Sequence, residues 1–217
     1  VASIVLTATT GTVAFNDDLY ATGITNTGGT FNLNLFGTTT SVTNSVTFGT
    51  SGTVVFGNGA DTLTFTGGLV HSAGPNSIAG TLATTNTALT LNSATAVTTN
   101  SSIAAGSGTV TLGAATLSDG VTLTLGTGDS GAITATSFTG TASGSASNVT
   151  FNVTGAVTVS GAIGTDIGTL TVTNSGGATF SGAVGASGAG NSVASIVLTA
   201  TTGTVAFNDD LYATGIT

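Results

Sequence analysis

The sequence contains no lysine, arginine, glutamate, glutamine, cysteine, methionine or tryptophan. Nucleic acids and phosphates are bound chiefly through lysine and arginine, so their absence excludes nucleic-acid binding as the expected function. Without cysteine the chain can form no disulfide and requires no particular redox compartment. Most of the strong helix formers are among the missing residues, so stable helices are not expected either.

Long apolar runs are also missing. Short runs such as Ile4–Leu6 and Val54–Phe56 are each interrupted at once by threonine, glycine or asparagine. A membrane-spanning helix needs about 18–20 apolar residues, so no membrane span is predicted. The mean hydropathy of +0.51 is positive and only 4% of residues are charged, which argues against disorder. The net charge of −8 comes entirely from aspartate.

The opening segment of the chain occurs a second time at its end. Val1–Thr25 and Val193–Thr217 both read VASIVLTATTGTVAFNDDLYATGIT. We therefore interpret residues 1–192 as one full repeat of a longer tandem array and residues 193–217 as the start of the next. Tandem arrays are more often structural or adhesive than catalytic.

Threonine and apolar residues alternate in short segments that are separated by glycine, asparagine, serine or aspartate. Such period-2 alternation is typical of β-strands. Among the predicted strands are Ser3–Ala8, Thr12–Phe15, Thr62–Phe65 and Val149–Val153.

Two smaller motifs recur inside the period. A glycine-threonine motif appears as GTVAF at Gly11–Phe15, GTVVF at Gly52–Phe56 and GTVTL at Gly108–Leu112. Threonine pairs follow one another at a nearly constant spacing, which would suit one coil of a solenoid; the pairs are Thr38/Thr40, Thr62/Thr64, Thr85/Thr87 and Thr109/Thr111.

These features predict an all-β fold, and two architectures fit: a parallel β-solenoid (β-helix) of stacked coils, or a string of antiparallel β-sandwich domains. Scarcity of charge favours the solenoid, because equivalent residues stack about 4.8 Å apart and like charges at that spacing repel. A sandwich has no comparable reason to exclude lysine and glutamate from its wet face. About eight coils per period would lengthen a fibre by about 40 Å.

Calcium is the ligand for which the sequence offers candidate residues. Asp17 and Asp18 form the best pair, and Asp61 lies in a partial match to a calcium-binding nonapeptide over Gly57, Gly59, Asp61 and Leu63. Further turn carboxylates occur at Asp119, Asp129 and Asp166. Isolated aspartates in turns more often stabilise the turn itself, so no resident cofactor is predicted.

Catalytic chemistry is not predicted. His71 is the only histidine, and we expect it in a surface turn before Ala73-Gly74-Pro75. Paired carboxylates occur only at Asp17-Asp18 and their copy Asp209-Asp210, which we expect in turns rather than in a cleft. A regular threonine array on a solenoid face would also suit ice binding, so a module that binds calcium, glycan or ice remains the alternative to a structural role.

Segments such as GTLTVTNSGGATFSGAVG (Gly168–Gly185) and DTLTFTGGL (Asp61–Leu69) resemble giant bacterial β-strand-repeat extracellular proteins, the filamentous-haemagglutinin-like large repeat adhesins. The resemblance lies in composition and rhythm and covers nearly the whole chain. It implies a non-catalytic, secreted or cell-surface β-helical fibre that serves adhesion, a sheath or a biofilm matrix. Its expected partner is itself, end to end through tandem repeats and laterally between fibres.

Overall fold

The structure is a computed structural model that describes residues 1–7, 9–142, 144–188 and 190–217. These residues form 22 strands and no helix. The predicted strand Ser3–Ala8 is present as Ser3–Leu6, and Ala8 lies outside the described residues. Each strand pairs in parallel with a strand about one turn of chain away. The predicted parallel β-solenoid is therefore confirmed, and the sandwich alternative is wrong.

Each turn of the solenoid has three faces. Face 1 carries β2 (Thr12–Phe15), β5 (Asn32–Leu35) and β8 (Val54–Phe56). Face 2 carries β3 (Leu19–Ala21), β6 (Thr39–Val42), β9 (Thr62–Phe65), β15 (Thr122–Asp129), β17 (Ser147–Val153), β19 (Ile167–Thr173) and β21 (Ser195–Thr199). Face 3 carries β1 (Ser3–Leu6), β4 (Gly23–Asn26), β7 (Val46–Phe48), β10 (Leu69–His71), β12 (Leu89–Leu91), β18 (Val157–Val159), β20 (Ala178–Phe180) and β22 (Val205–Phe207).

Four longer strands pass round a corner from one face to the next. β11 (Asn76–Thr84) and β13 (Thr95–Ala104) run from face 1 to face 2, and β14 (Val110–Leu117) and β16 (Ile133–Gly140) run from face 3 to face 1. Face 1 then continues as single bridges at Ile163, Val184 and Leu211. At the first coils, β1 and β4 form a separate two-stranded sheet that packs against β7.

Alternation along each strand produces the core. On face 3 the first and third residues of each three-residue stretch point inward. The first residues stack in a continuous apolar column: Val46, Leu69, Leu89, Val110, Ile133, Val157 and Ala178. Two phenylalanine groups fill the wider parts of the interior. Phe48, Phe56 and Phe65 meet with ring centres 6.2–6.3 Å apart, and Phe138 lies edge-on to Phe151 at 5.6 Å. Each fully buried side chain of this size stabilises the fold by about 1.5–3 kcal/mol.

The second copy of the repeated segment lies one face away from the first. β1 is on face 3 and pairs with β4, whereas its copy β21 is on face 2 and pairs with β19. β2 is on face 1 and its copy β22 on face 3. Leu19 and its copy Leu211 follow the same rule, since they lie on face 2 and face 1.

The period therefore does not contain a whole number of turns. From β1, the chain returns to face 3 eight times, the last time at β20, and it then crosses face 1 at Val184 before it reaches β21 on face 2. One period thus makes eight turns and two-thirds of a ninth. A second period would be the same solenoid turned by one face.

Candidate functional site

The two copies of the repeated segment lie in different surroundings within this structure. The first coil, residues 1–25, carries coil 26–48 above it, whereas the second copy, residues 193–217, is stacked on the coil that contains β19 and β20. The same sequence is therefore seen once beneath another coil and once above another coil.

Burial of equivalent residues differs accordingly. Val1 is 75% exposed, whereas its copy Val193, which pairs with Ala213, is fully buried. In the opposite sense, Ile24 is 2% exposed beneath the next coil, whereas its copy Ile216 is 54% exposed. Each such burial contributes about 1.5–3 kcal/mol, so both edges of this coil are built to be covered.

The two copies nevertheless share one residue pair. In the first copy Ile4 pairs with Ile24, and in the second copy Ile196 pairs with Ile216. This residue pair is thus kept although the two copies lie on different faces.

Asp17 and Asp18 lie in the corner between β2 and β3, as the sequence predicts. Asp17 Oδ1 accepts a 2.8 Å hydrogen bond from the Asp18 N–H, and Asp18 Oδ1 accepts one of 2.8 Å from the Thr39 N–H of the next coil. Both carboxylates therefore bind backbone donors, and the Asp18 carboxylate connects successive coils.

In the second copy, the acidic corner makes a different contact. Asp210 Oδ2 accepts a 3.2 Å hydrogen bond from the Tyr212 hydroxyl. This hydrogen bond and the negative charge of Asp210 raise the pKa of Tyr212 above its ordinary value of 10.0. The Asp18 carboxylate thus accepts a hydrogen bond from the next coil, whereas its copy at Asp210 accepts one from within its own coil.

Asp61 does not join the Asp17–Asp18 pair. Its Oδ2 accepts a 2.8 Å hydrogen bond from the Asn58 N–H, and the strand register places it two coils above Asp17, with Thr38 between them. Two coils correspond to about 9.6 Å, whereas calcium holds its oxygen ligands at about 2.3–2.6 Å. Within the parts of the chain that the structure describes, no three acidic or histidine side chains are grouped as a metal site requires.

Other aspartates also stabilise turns. Asp129 Oδ2 accepts hydrogen bonds of 2.7 and 3.0 Å from the N–H groups of Ala105 and Gly106 in the coil below. Asp119 Oδ1 accepts a hydrogen bond from the Thr141 hydroxyl. Asp166 adopts a left-handed backbone conformation with φ of 62°. The residues proposed as calcium ligands are thus distributed along the solenoid.

The predicted position of His71 in a surface turn is wrong. His71 is the last residue of β10 and is fully buried, because alternation from inward Leu69 through Val70 turns it into the core. Its Nδ1 lies 2.7 Å from Asn76 Oδ1, and its Nε2 lies 3.0 Å from the Thr50 carbonyl oxygen. His71 therefore belongs to a buried polar group within an otherwise apolar column.

Removal of this imidazole is expected to destabilise the solenoid. In H71L the Asn76 amide and the Thr50 carbonyl lose their partner while they remain buried, so the free energy of unfolding should fall by about 1–3 kcal/mol. N76V removes the amide that contacts the His71 ring. It gives position 76 the same side chain as Val54, its strand partner on face 1. We expect H71L/N76V to lose at least about 1 kcal/mol less than the sum of the single variants in urea denaturation. Additive losses would show that the two side chains are not energetically coupled.

Polar grooves on the surface are shallow. One groove on face 2 has a volume of about 410 Å³, and its walls include Thr81, Asn100, Ser102 and Thr124. Asn100 Oδ1 already accepts a hydrogen bond from the Thr122 N–H, and the Ser102 hydroxyl donates to Thr81 Oγ1. The Asn100 and Ser102 side chains are thus used within the fold.

The predicted ladder of threonine pairs is wrong. Thr62 and Thr64 lie on face 2, but Thr40 is buried and Thr111 lies on face 3, because coil lengths vary. Thr62 pairs with Thr81 across a short coil, whereas Ala178 pairs with Val205 across a much longer one.

Two other hydroxyl columns take its place. A single-file column on face 3 comprises Thr90, Thr111, Thr134, Thr158 and Thr179. A second column on face 2 comprises Thr39, Thr62, Thr81, Ser102, Thr124, Thr150 and Thr171.

The fold and the end coils together define a parallel β-solenoid of the tandem-repeat class. No protein-family model, curated protein or solved structure matches the chain. Among the described residues there is no helix with the length and hydropathy that would cross a membrane.

Proposed function

We propose that this chain is a non-catalytic structural repeat of a long extracellular or cell-surface filament, sheath or adhesin stalk. The observation that carries the proposal is the complementary burial of the two copies of one coil. Val193 is buried where Val1 is exposed, and Ile24 is buried where Ile216 is exposed. A coil with two edges that both need covering suits a continuous stack of repeats.

Mechanical continuity follows from the pairing at the junction. β19 and β21 are joined over five residue pairs, and β20 and β22 over three, in the same parallel pattern as coils inside the period. The stack therefore crosses the boundary between one period and the next without a linker. Load along such a fibre is carried by backbone hydrogen bonds and by the apolar columns of the core.

The surface suits exposure outside a cell. With no lysine or arginine, the chain presents no site for trypsin-like proteases, and without cysteine it is indifferent to an oxidising environment. Its two hydroxyl columns give low-charge faces on which neighbouring fibres can lie side by side. These features support the proposed location and the proposed lateral partner.

Filament geometry tests this function. Chains with one, two and four periods should appear as unbranched rods that lengthen by about 40 Å with each added period, and aligned rods should diffract at about 4.8 Å along their long axis. The measurement is electron microscopy of the three proteins together with diffraction from the longest.

The 4.8 Å spacing is about that of hydrogen-bonded strands. Rods with a beaded outline would contradict the proposal, and so would this spacing found across the axis rather than along it. Calcium chelation provides the control for the binding-module alternative. A structural repeat keeps its melting temperature, whereas a calcium module loses the stability that its ligand contributes.

A further inference from the structure

Face 3 is a regular side of the solenoid. From β7 to β20, seven successive coils each place a three-residue stretch there, and the pairings of these stretches contain no register shift. Elsewhere the register shifts between Ile78 and Gly80 and between Leu125 and Asp129, and face 1 is reduced to single bridges from Ile163 onward. Face 3 therefore presents a flat surface that repeats from coil to coil.

The outside of face 3 consists of a ridge and a groove. The ridge is the hydroxyl column that ends at Thr179, continued downward by Val70 and Thr47. Two positions before each ridge residue, a second residue lies on the same outer side, and backbone hydrogen bonds keep these residues in register. They form the groove and, except for one threonine, are glycine or alanine: Gly68, Ala88, Thr109, Ala132, Ala156 and Gly177. A groove of small residues thus runs beside a ridge of β-branched ones.

Charge is concentrated away from this surface. Among the described residues, no face 3 strand contains an aspartate. Five of the eight aspartates lie at the corner between face 1 and face 2, which is opposite face 3: Asp17, Asp18, Asp61, Asp119 and Asp166. A contact on face 1 or face 2 would have these carboxylates at its margin, where removing a charge from water is costly. A contact on face 3 leaves them hydrated.

We propose that face 3 binds face 3 of a second copy of this chain, with the two solenoids pointing in the same direction and the ridge of each in the groove of the other. A two-fold axis parallel to the solenoids produces this fit, because it exchanges ridge and groove. An antiparallel pair would instead set ridge against ridge. The proposal rests on the proposed function and names the surface and the orientation of its lateral contact.

The size of the surface determines how strongly copies associate. Seven coils and five residues give a patch of about 34 Å by about 16 Å, so a pair buries about 1,100 Å² in total, at the lower end of specific interfaces. One period should therefore associate weakly. Since each period is turned by one face, a four-period chain has two such patches on one side, and it should pair at a concentration at least about a hundredfold lower in sedimentation.

Single cysteines test the contact, since the chain has none of its own. In T134C the thiols of two copies would face one another where sheets lie about 10 Å apart, within reach of a thiol-specific reagent of that span. T116C is the matched control, an exposed threonine on face 1 one coil below. T134C should give at least about tenfold more covalent dimer than T116C. T179C should react like T134C, because a parallel pair sets each residue at the height of its own copy.

A charge on the ridge should break the contact without touching the core. In T90C/T134D two carboxylates would face each other across the interface, so the yield of covalent dimer should fall at least about tenfold below that of T90C. T90C/T116D carries the same substitution on face 1 and should keep the yield of T90C. Circular dichroism and the urea midpoint verify that each variant is folded.

Three results would overturn the proposal. Equal yields from T134C and T116C would show random collision, and a monomeric T179C beside a reactive T134C would contradict the parallel orientation. A folded T90C/T134D that still forms dimers would show that face 3 is not the contact. If covalent multi-period chains nevertheless form rods with strands stacked along the axis, the structural function stands and only the lateral contact is lost. Beaded rods would remove that function whatever the cysteines show.

Discussion

Replacement of Gly131 with alanine is expected to disrupt the middle of the solenoid. A Cβ at this buried position would lie only 1.8 Å from the carbonyl oxygen of Gly108 in the coil below. The backbone of Gly131 is also held there, because its N–H donates a 2.9 Å hydrogen bond to the Gly106 carbonyl. The added methyl group can be accommodated only if two coils move apart.

The same column continues upward, which prevents the strain from being relieved locally. A Cβ on Gly155 would lie 2.4 Å from the carbonyl oxygen of Gly131. We therefore expect G131A to lower the free energy of unfolding by about 3 kcal/mol, at the upper end of what overpacking costs. Urea denaturation measures this loss, and hydrogen exchange should show it first in the coils that contain Gly108, Gly131 and Gly155.

Gly59 supplies the matched control for this substitution. A Cβ at Gly59 would meet no atom within 4 Å, and its backbone is not in the left-handed region. G59A should therefore change the free energy of unfolding by no more than about 0.5 kcal/mol. Equal effects of G131A and G59A would mean that the glycine column does not set the distance between coils.

Strands and architecture were accessible to sequence reasoning because they depend on local alternation. Thr12–Phe15 and Thr62–Phe65 are predicted with the bounds that β2 and β9 have in the structure. The argument from missing charge also led to the correct architecture, since stacked coils place like residues next to one another. Both conclusions use only neighbours in sequence or the composition of the whole chain.

Features that depend on where a coil turns were not accessible in this way. Gly74 and Pro75, which follow His71, predict a turn there, but β10 continues to His71 before the chain turns. The partner atoms of its ring belong to Asn76, beyond that turn, and to Thr50, one coil below, and nothing in the spacing of the residues indicates them. Only the strand register reveals that a single histidine is buried.

The one-face rotation between the two copies is not accessible from the sequence for the same reason. Coils of 24 residues, the spacing from Thr38 to Thr62, would have divided the 192-residue period into eight whole turns and placed the second copy above the first. Real coils differ in length, from the short one between Thr62 and Thr81 to the much longer one between Ala178 and Val205. The sum of these unequal lengths, which no local pattern encodes, determines the face on which the period ends.

Chemical cross-linking should show this rotation directly. Thr179 and Ala206 are paired, outward-facing neighbours on face 3, so the T179C/A206C variant should cross-link almost completely with a short thiol-specific reagent. If a period contained a whole number of turns, Val205 would lie above Val184 and Thr204 above Ala183. A183C/T204C should therefore react poorly, and the chain has no other cysteine that could interfere.

The rotation determines what a fibre of such repeats presents to its surroundings. Since each period turns the next by one face, any surface feature, such as the acidic corner at Asp17 and Asp18, would appear in turn on all three sides and return to the first after three periods. Such a fibre can pack against neighbours in three directions with one set of contacts. Preferential cross-linking of A183C/T204C would instead mean that every repeat faces the same way and that lateral contacts are confined to one side.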